Sequence, residues 1–172
     1  MESGSPSELK HRVQLPFLLT SLGLLILDQA VKAWVRGAVP THGSLGGKPW
    51  PGVFEITLTY NEGIAFGMLQ GMGPLLAPVA VVIAIASGVY SYRHPEESWL
   101  SHVAMGLLAS GALGNLYDRV VFHQVTDMFW FRLIDFPVFN VADSCITIAT
   151  ILLMISWWRD AARVKKTAQI SG

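Results

Sequence analysis

Four apolar runs, each roughly twenty residues long, do most to limit how this chain can fold. They cover residues 15–35, 74–92, 99–117 and 139–158 and are rich in Leu, Ile, Val, Ala and Gly. A bilayer core of about 30 Å takes about 20 helical residues, so each run is sized to cross it once. Composition agrees: 52% of the 172 residues are hydrophobic and 14% are charged, against about 25% charged in soluble domains. The expected fold is an all-α membrane protein, a four-transmembrane-helix bundle. A formal net charge of +0 leaves no basic excess, so no nucleic-acid partner is expected. The single cysteine, Cys145, excludes an intramolecular disulfide framework and a cysteine-rich metal site, and five scattered histidines form no ligand cluster.

Between the second and third runs lies only Arg93-His-Pro-Glu-Glu-Ser98, whose proline discourages one continuous helix and predicts an antiparallel hairpin. Four spans put both termini on one side. Seven Lys and Arg residues (Lys10, Arg12, Arg93, Arg159, Arg163, Lys165, Lys166) fall on the side of the tails and four (Arg36, Lys48, Arg119, Arg132) on the other. The positive-inside rule therefore makes tails 1–14 and 159–172 cytoplasmic and turns segments 36–73 and 118–138 outward. A cleavable signal peptide is the rival reading of the first run, but that run ends in Asp28-Gln-Ala-Val-Lys32, not in a small-x-small cleavage site. In the outward segment, glycines and prolines from Gly37 to Pro51 break the chain. Val53 to Tyr60 then alternates as a half-buried strand does, predicting a small extracytoplasmic β-rich cradle on the membrane.

Ionisable groups inside a span cost roughly 2.5–3.5 kcal/mol each, so their positions ask for an explanation. Asp28 lies thirteen residues into the first run, about 20 Å deep and toward the outer face. The third run ends outward in Asn115-Leu-Tyr-Asp118-Arg119, the fourth begins with Asn140-Val-Ala-Asp143, and Asn61 and Gly63 precede the second. All four clusters thus meet at one depth. Asn115 and Asp118, like Asn140 and Asp143, are three apart and share a helix face. Asp28 and Lys32, four apart, can also form an ion pair that neutralises both charges in lipid, and the two asparagines can equally serve as interhelical hydrogen-bond partners or caps.

Asp127 sits in the aromatic stretch 124–131, expected at headgroup depth, and Pro137 turns the chain back toward Asp143. Two carboxylates in a poorly hydrated site cannot both ionise cheaply, so one keeps a proton while the other accepts one, a division suited to peptide hydrolysis. The alternative is that both aspartates cap helices or pair with Arg119 and Arg132. A thiol site of Cys145 with His123 is disfavoured because Cys145 follows Asp143 by two positions and points off that face. A proton-coupled carrier using Asp28, Lys32, Asp118 and Asp143 fits the charges but not their depth, since the inner halves of the runs are nearly free of polar groups. Gly106, Gly111 and Gly114 read as close-packing positions between helices.

Five ordered motifs resemble one family, the bacterial lipoprotein signal peptidases, or signal peptidase II. They are Asp28-Gln29 with Lys32; Asn61-Glu-Gly63 followed by Ala65-Phe66-Gly67; Gly111 to Arg119; Val125-Thr-Asp127; and Phe136 to Ser144. The resemblance covers about residues 15–158 and implies a four-span peptidase domain in the bacterial inner membrane with its active site at the outer leaflet. It implies that Asp127 and Asp143 are a catalytic aspartate dyad and that Asn61, Gly63, Asn115, Arg119 and Asn140 line the substrate site. Asp28 and Lys32 support it, and Asp118 orients Arg119. The implied substrate is a prolipoprotein whose cysteine carries a diacylglyceryl group, held among membrane lipids and cut just before that cysteine. The implied chemistry needs no metal or other cofactor, and the implied inhibitor is the cyclic peptide globomycin. Ile64, Ser110 and Thr126 depart from residues common in the family and bear on substrate fit. The spacing of Asp127 and Asp143 is slightly short for the family and suggests a trimmed outer hairpin.

Overall fold

A computed structural model of the protein describes residues 6–63 and 73–170, with side chains over 15–63 and 75–159. Ile64 and the Ala65-Phe66-Gly67 motif lie outside the described residues. The described chain forms α1 (Pro6–Ala38), β1 (Ser44–Trp50), β2 (Phe54–Asn61), α2 (Gly73–Arg93), α3 (Trp99–Phe122), β3 (Val125–Trp130), a single 3-10 turn (Arg132–Ile134) and α4 (Val141–Ile170).

The helices are inside-out relative to those of a soluble protein. On α1, Leu15, Leu18, Leu19, Leu22 and Ile26 recur at helical spacing and are exposed, while Ser21, Asp28, Lys32 and Val35 on the other side are buried. The same holds on α4, where Ile148, Ile151, Met154 and Ile155 face out and Ala142, Cys145 and Ala149 face in. An apolar exterior over a small and polar interior is what lipid demands. Three helical stretches, Leu15–Ala38, Leu75–Arg93 and Val141–Arg159, are long and apolar enough to cross a membrane. The run at 99–117 lies in α3, whose 24 residues have the length but fall outside that set of apolar stretches. The reason is its position. Helix α3 packs against α1, α2 and α4 together and buries Ser101, His102, Ser110, Asn115 and Asp118 among small residues, so little of it needs to be apolar.

Small residues set how closely α3 is approached. A Cβ on Gly111 would stand 2.5 Å from the Ala142 carbonyl oxygen of α4, and one on Gly114 would stand 2.5 Å from Asp28 Oδ2 of α1. At these two positions the missing side chain is what lets the helices touch.

The expected strand over Val53 to Tyr60 is β2, displaced by one residue, in an antiparallel sheet of order β1-β2-β3. Strand β1 was not anticipated, since its glycines and prolines read as a broken chain. Gly46 and Gly47 adopt positive φ and the pairing with β2 is interrupted between Ser44 and Pro49, so it is an irregular edge strand. The aromatic stretch 124–131 holds strand β3, which pairs Thr59 with Asp127 and Asn61 with Val125. Leu58 and Met128 pack with Val35 and Val39 at the end of α1, which seats the sheet on the bundle. Arg132 donates to Glu55 at 2.8 Å and so ties the turn after β3 to β2 rather than pairing with either aspartate.

Candidate active site

The site is built on the N-terminus of α4. Asn140 caps the helix: its Oδ1 accepts from the Asp143 N–H at 2.9 Å, while Asp143 Oδ2 accepts from the Asn140 N–H at 3.2 Å. This reciprocal pair fixes the Asp143 side chain where the helix starts and where the helix dipole favours negative charge. Asn140 Nδ2 also donates to Asp127 Oδ1 at 2.6 Å, so one fully buried asparagine holds both carboxylates. Asn115 Nδ2 donates to Asp143 Oδ1 at 2.8 Å, and its Oδ1 accepts from Asn140 Nδ2 at 3.1 Å. From β2, Asn61 Nδ2 donates to Asp127 Oδ2 at 3.2 Å and its Oδ1 accepts from the Gly63 N–H at 2.9 Å. Arg119 Nη2 donates to the Gly63 carbonyl at 3.0 Å.

Asn61, Gly63, Asn115, Arg119, Asp127 and Asp143 line one cavity of about 580 Å³. Its lining is apolar at residues 136–139 and at Ile146 and Ile148 of α4. Burial first, and then the Asp143 carboxylate, push Asp127 up to about 7, against the pull of its hydrogen bonds from Asn140 and Asn61. Asp127 therefore keeps its proton well above the ordinary carboxylate range. Such a pair beside a polar rim and an apolar wall can donate and accept a proton at an extended chain lying between them.

Asp28, Lys32 and Asp118 do not reach the cavity. They form a second, fully buried cluster behind it. Lys32 Nζ lies 2.9 Å from Asp28 Oδ2 and 3.4 Å from Asp118 Oδ2, and donates to Asn115 Oδ1 at 3.1 Å. Asp28 Oδ1 accepts from the Ala142 N–H at 2.9 Å, so α1 holds the first turn of α4 from behind. The expectation that Asp118 orients Arg119 is corrected by this arrangement. Asp118 turns toward α1, where Lys32, Gln29 and Arg36 reach it, and it accepts from the Thr126 N–H at 2.9 Å. The buried Lys32 and the half-buried Arg36 on α1 are the stronger attraction for a carboxylate on the face of α3 that meets α1.

Gln29 and Arg36 are named from the sequence without a role at the site. Gln29 Nε2 donates to Asp28 and the Gly114 carbonyl at 3.0 and 3.1 Å. Arg36 Nη1 donates to Thr126 Oγ1 at 2.8 Å. Arg36 was legible in principle, since residues 28, 32 and 36 are spaced by four and share a face. Cys145 packs with Leu107 and Ala149, apart from the cavity. Among the described residues no group of three or more His, Cys, Asp and Glu is arranged to hold a metal ion.

The model of the family described as signal peptidase (SPase) II matches residues 20–159. A lipoprotein signal peptidase of Gloeobacter violaceus is 35% identical over 153 residues, covering 89% of this chain and 87% of that protein. One from Ectopseudomonas mendocina is 35% identical over 166 residues, covering 90% and 95%. A bacterial membrane enzyme solved by the in meso method at 2.3 Å resolution is similar with a TM-score of 0.77 and 30% identity, over 86% of this chain and 90% of that one. Another, solved at 1.9 Å, gives a TM-score of 0.74 at 32% identity.

Proposed function

This chain belongs to the signal peptidase II family and removes signal peptides from prolipoproteins, and we propose that it does so as an aspartic endopeptidase whose dyad is Asp127 and Asp143. The observation that carries the aspartic reading is Asn140, whose side chain and backbone N–H hold one carboxylate each beside a single cavity. The pair keeps one proton. Its charged member takes a proton from a water molecule that attacks the scissile carbonyl. The neutral member hydrogen-bonds the carbonyl oxygen as charge develops, and the proton then passes to the departing amine. Each of the four carboxylate oxygens accepts one hydrogen bond, Asp127 from Asn140 and Asn61 and Asp143 from Asn115 and the Asn140 N–H, and this fixes the direction in which their remaining lone pairs meet water and substrate.

The substrate in this reading is a precursor already carrying diacylglyceryl on the cysteine that follows the scissile bond. The apolar wall of residues 136–139 supports it, since acyl chains anchored in the outer leaflet would lie alongside. The proposed topology has four spans, α3 included, with both termini cytoplasmic and the sheet outside the inner membrane. The charge asymmetry of the loops supports this orientation. Globomycin, a cyclic peptide, is the proposed occupant that competes with substrate, and no metal takes part.

The test uses the purified full chain in detergent with a diacylglyceryl-modified precursor and its unmodified counterpart. Mass spectrometry of the products should place the cut immediately before the modified cysteine, with the unmodified precursor left intact and a chelator without effect. Equal cleavage of both precursors contradicts the substrate reading. Inhibition by chelator that zinc restores contradicts the metal-free mechanism.

A further inference from the structure

We propose that Arg36 and Thr126 form a positioning clamp that sets the facing of Asp127. The inference rests on the catalytic reading of Asp127 above. Side chains at successive strand positions point to opposite faces of a sheet, so the direction of Thr126 dictates that of Asp127. Thr126 is fully buried and held twice on the side of the bundle. Its N–H donates to Asp118 Oδ2 at 2.9 Å and its hydroxyl accepts from Arg36 Nη1 at 2.8 Å. Arg36 is fixed in turn, 3.7 Å from Asp118 Oδ1 and 4.4 Å above the Phe122 ring. With Thr126 pinned toward α1 and α3, Asp127 is directed to the other face, where Asn61 and Asn140 meet it. A one-residue slip of β3 would bury the catalytic carboxylate in the clamp and turn Thr126 into the cavity.

The clamp needs the hydroxyl. Valine would keep the shape and the backbone N–H of residue 126 but would remove the hydroxyl that Arg36 Nη1 donates to at 2.8 Å, leaving the guanidinium only the Asp118 carboxylate at 3.7 Å.

The experiment measures kcat, KM, the pH profile and the thermal unfolding midpoint of the full chain in detergent with a diacylglyceryl-modified precursor. Thr126→Val should lower kcat about ten-fold while KM changes by less than about two-fold, and the pH limb near 7 should move. Thr126→Ser, which restores the hydroxyl, should recover most of kcat. Arg36→Met should fall like Thr126→Val, and the double variant should be no slower than the slower single, because both remove one interaction. Wild-type kcat and pH profile in folded Thr126→Val overturn the clamp. So does a serine variant no better than valine, a double variant that multiplies the two losses, or a kcat loss that only tracks the folded fraction. Asp127→Asn separates the two readings. If it is inactive while Thr126→Val is normal, the clamp alone fails; if it turns over normally, the catalytic reading fails and takes the clamp with it.

Discussion

Asn140 does two things at once: it caps the N-terminus of α4 and it holds the carboxylates of two different elements. The spacing of Asn140 and Asp143 showed only that they share a face. That Asp127 would hang from the same amide was not legible, because the hydrogen bond depends on how β3 enters the site. The electrostatic consequence can be checked in solution. Burial and the Asp143 charge raise Asp127 to about 7, so the singly protonated pair is lost as pH rises past that value. The limiting rate should therefore decline above about pH 7, and a flat profile to pH 9 contradicts the shared proton. Stability has its own sign. The folded chain keeps the Asp127 proton between the ordinary value of 3.8 and about 7, where the unfolded chain has lost it. Asp127 thus makes the unfolding midpoint fall as pH rises through that window, a slope that Asp127→Asn should lack.

At the scale of elements, hydropathy located α1, α2 and α4 well and described α3 less well. Helix α3 is sheltered by its neighbours, so its sequence records close packing and polar contacts more than lipid. Its glycines were readable as packing positions, but which partner each meets was not. Gly114→Ala should push α3 off α1, because the new Cβ would stand 2.5 Å from Asp28 Oδ2 and 3.2 Å from Ala142 Cβ. Thermal unfolding in detergent should show a loss of about 1–3 kcal/mol, typical of overpacking. Gly23→Ala meets nothing within 4 Å and should be neutral or gain up to about 1 kcal/mol from helix propensity. Equal behaviour of the two variants contradicts the close α1–α3 approach. The sheet was half legible: alternation betrayed β2, whereas β1 is carried by positive-φ glycines and β3 by pairing across a long sequence separation.

For the whole molecule, segments 36–73 and 118–138, proposed to face outward, matter because they supply the strands that bring Asn61 and Asp127 to the helix ends bearing Asn115 and Asp143. Lysine and arginine counts support the proposed orientation, and it can be probed with an impermeant thiol reagent since Cys145 is buried. In intact cells Lys48→Cys on β1 should label, whereas Glu96→Cys in the α2–α3 turn should label only after the membrane is opened; the reverse pattern contradicts the topology. The most direct measurement of the central claim is single-turnover cleavage of a diacylglyceryl-modified precursor by Asp127→Asn and Asp143→Asn in detergent. The account predicts that each variant binds the precursor and unfolds as a folded protein does, yet yields no cleaved product above the uncatalysed background. Cleavage at the wild-type rate by either variant would contradict it.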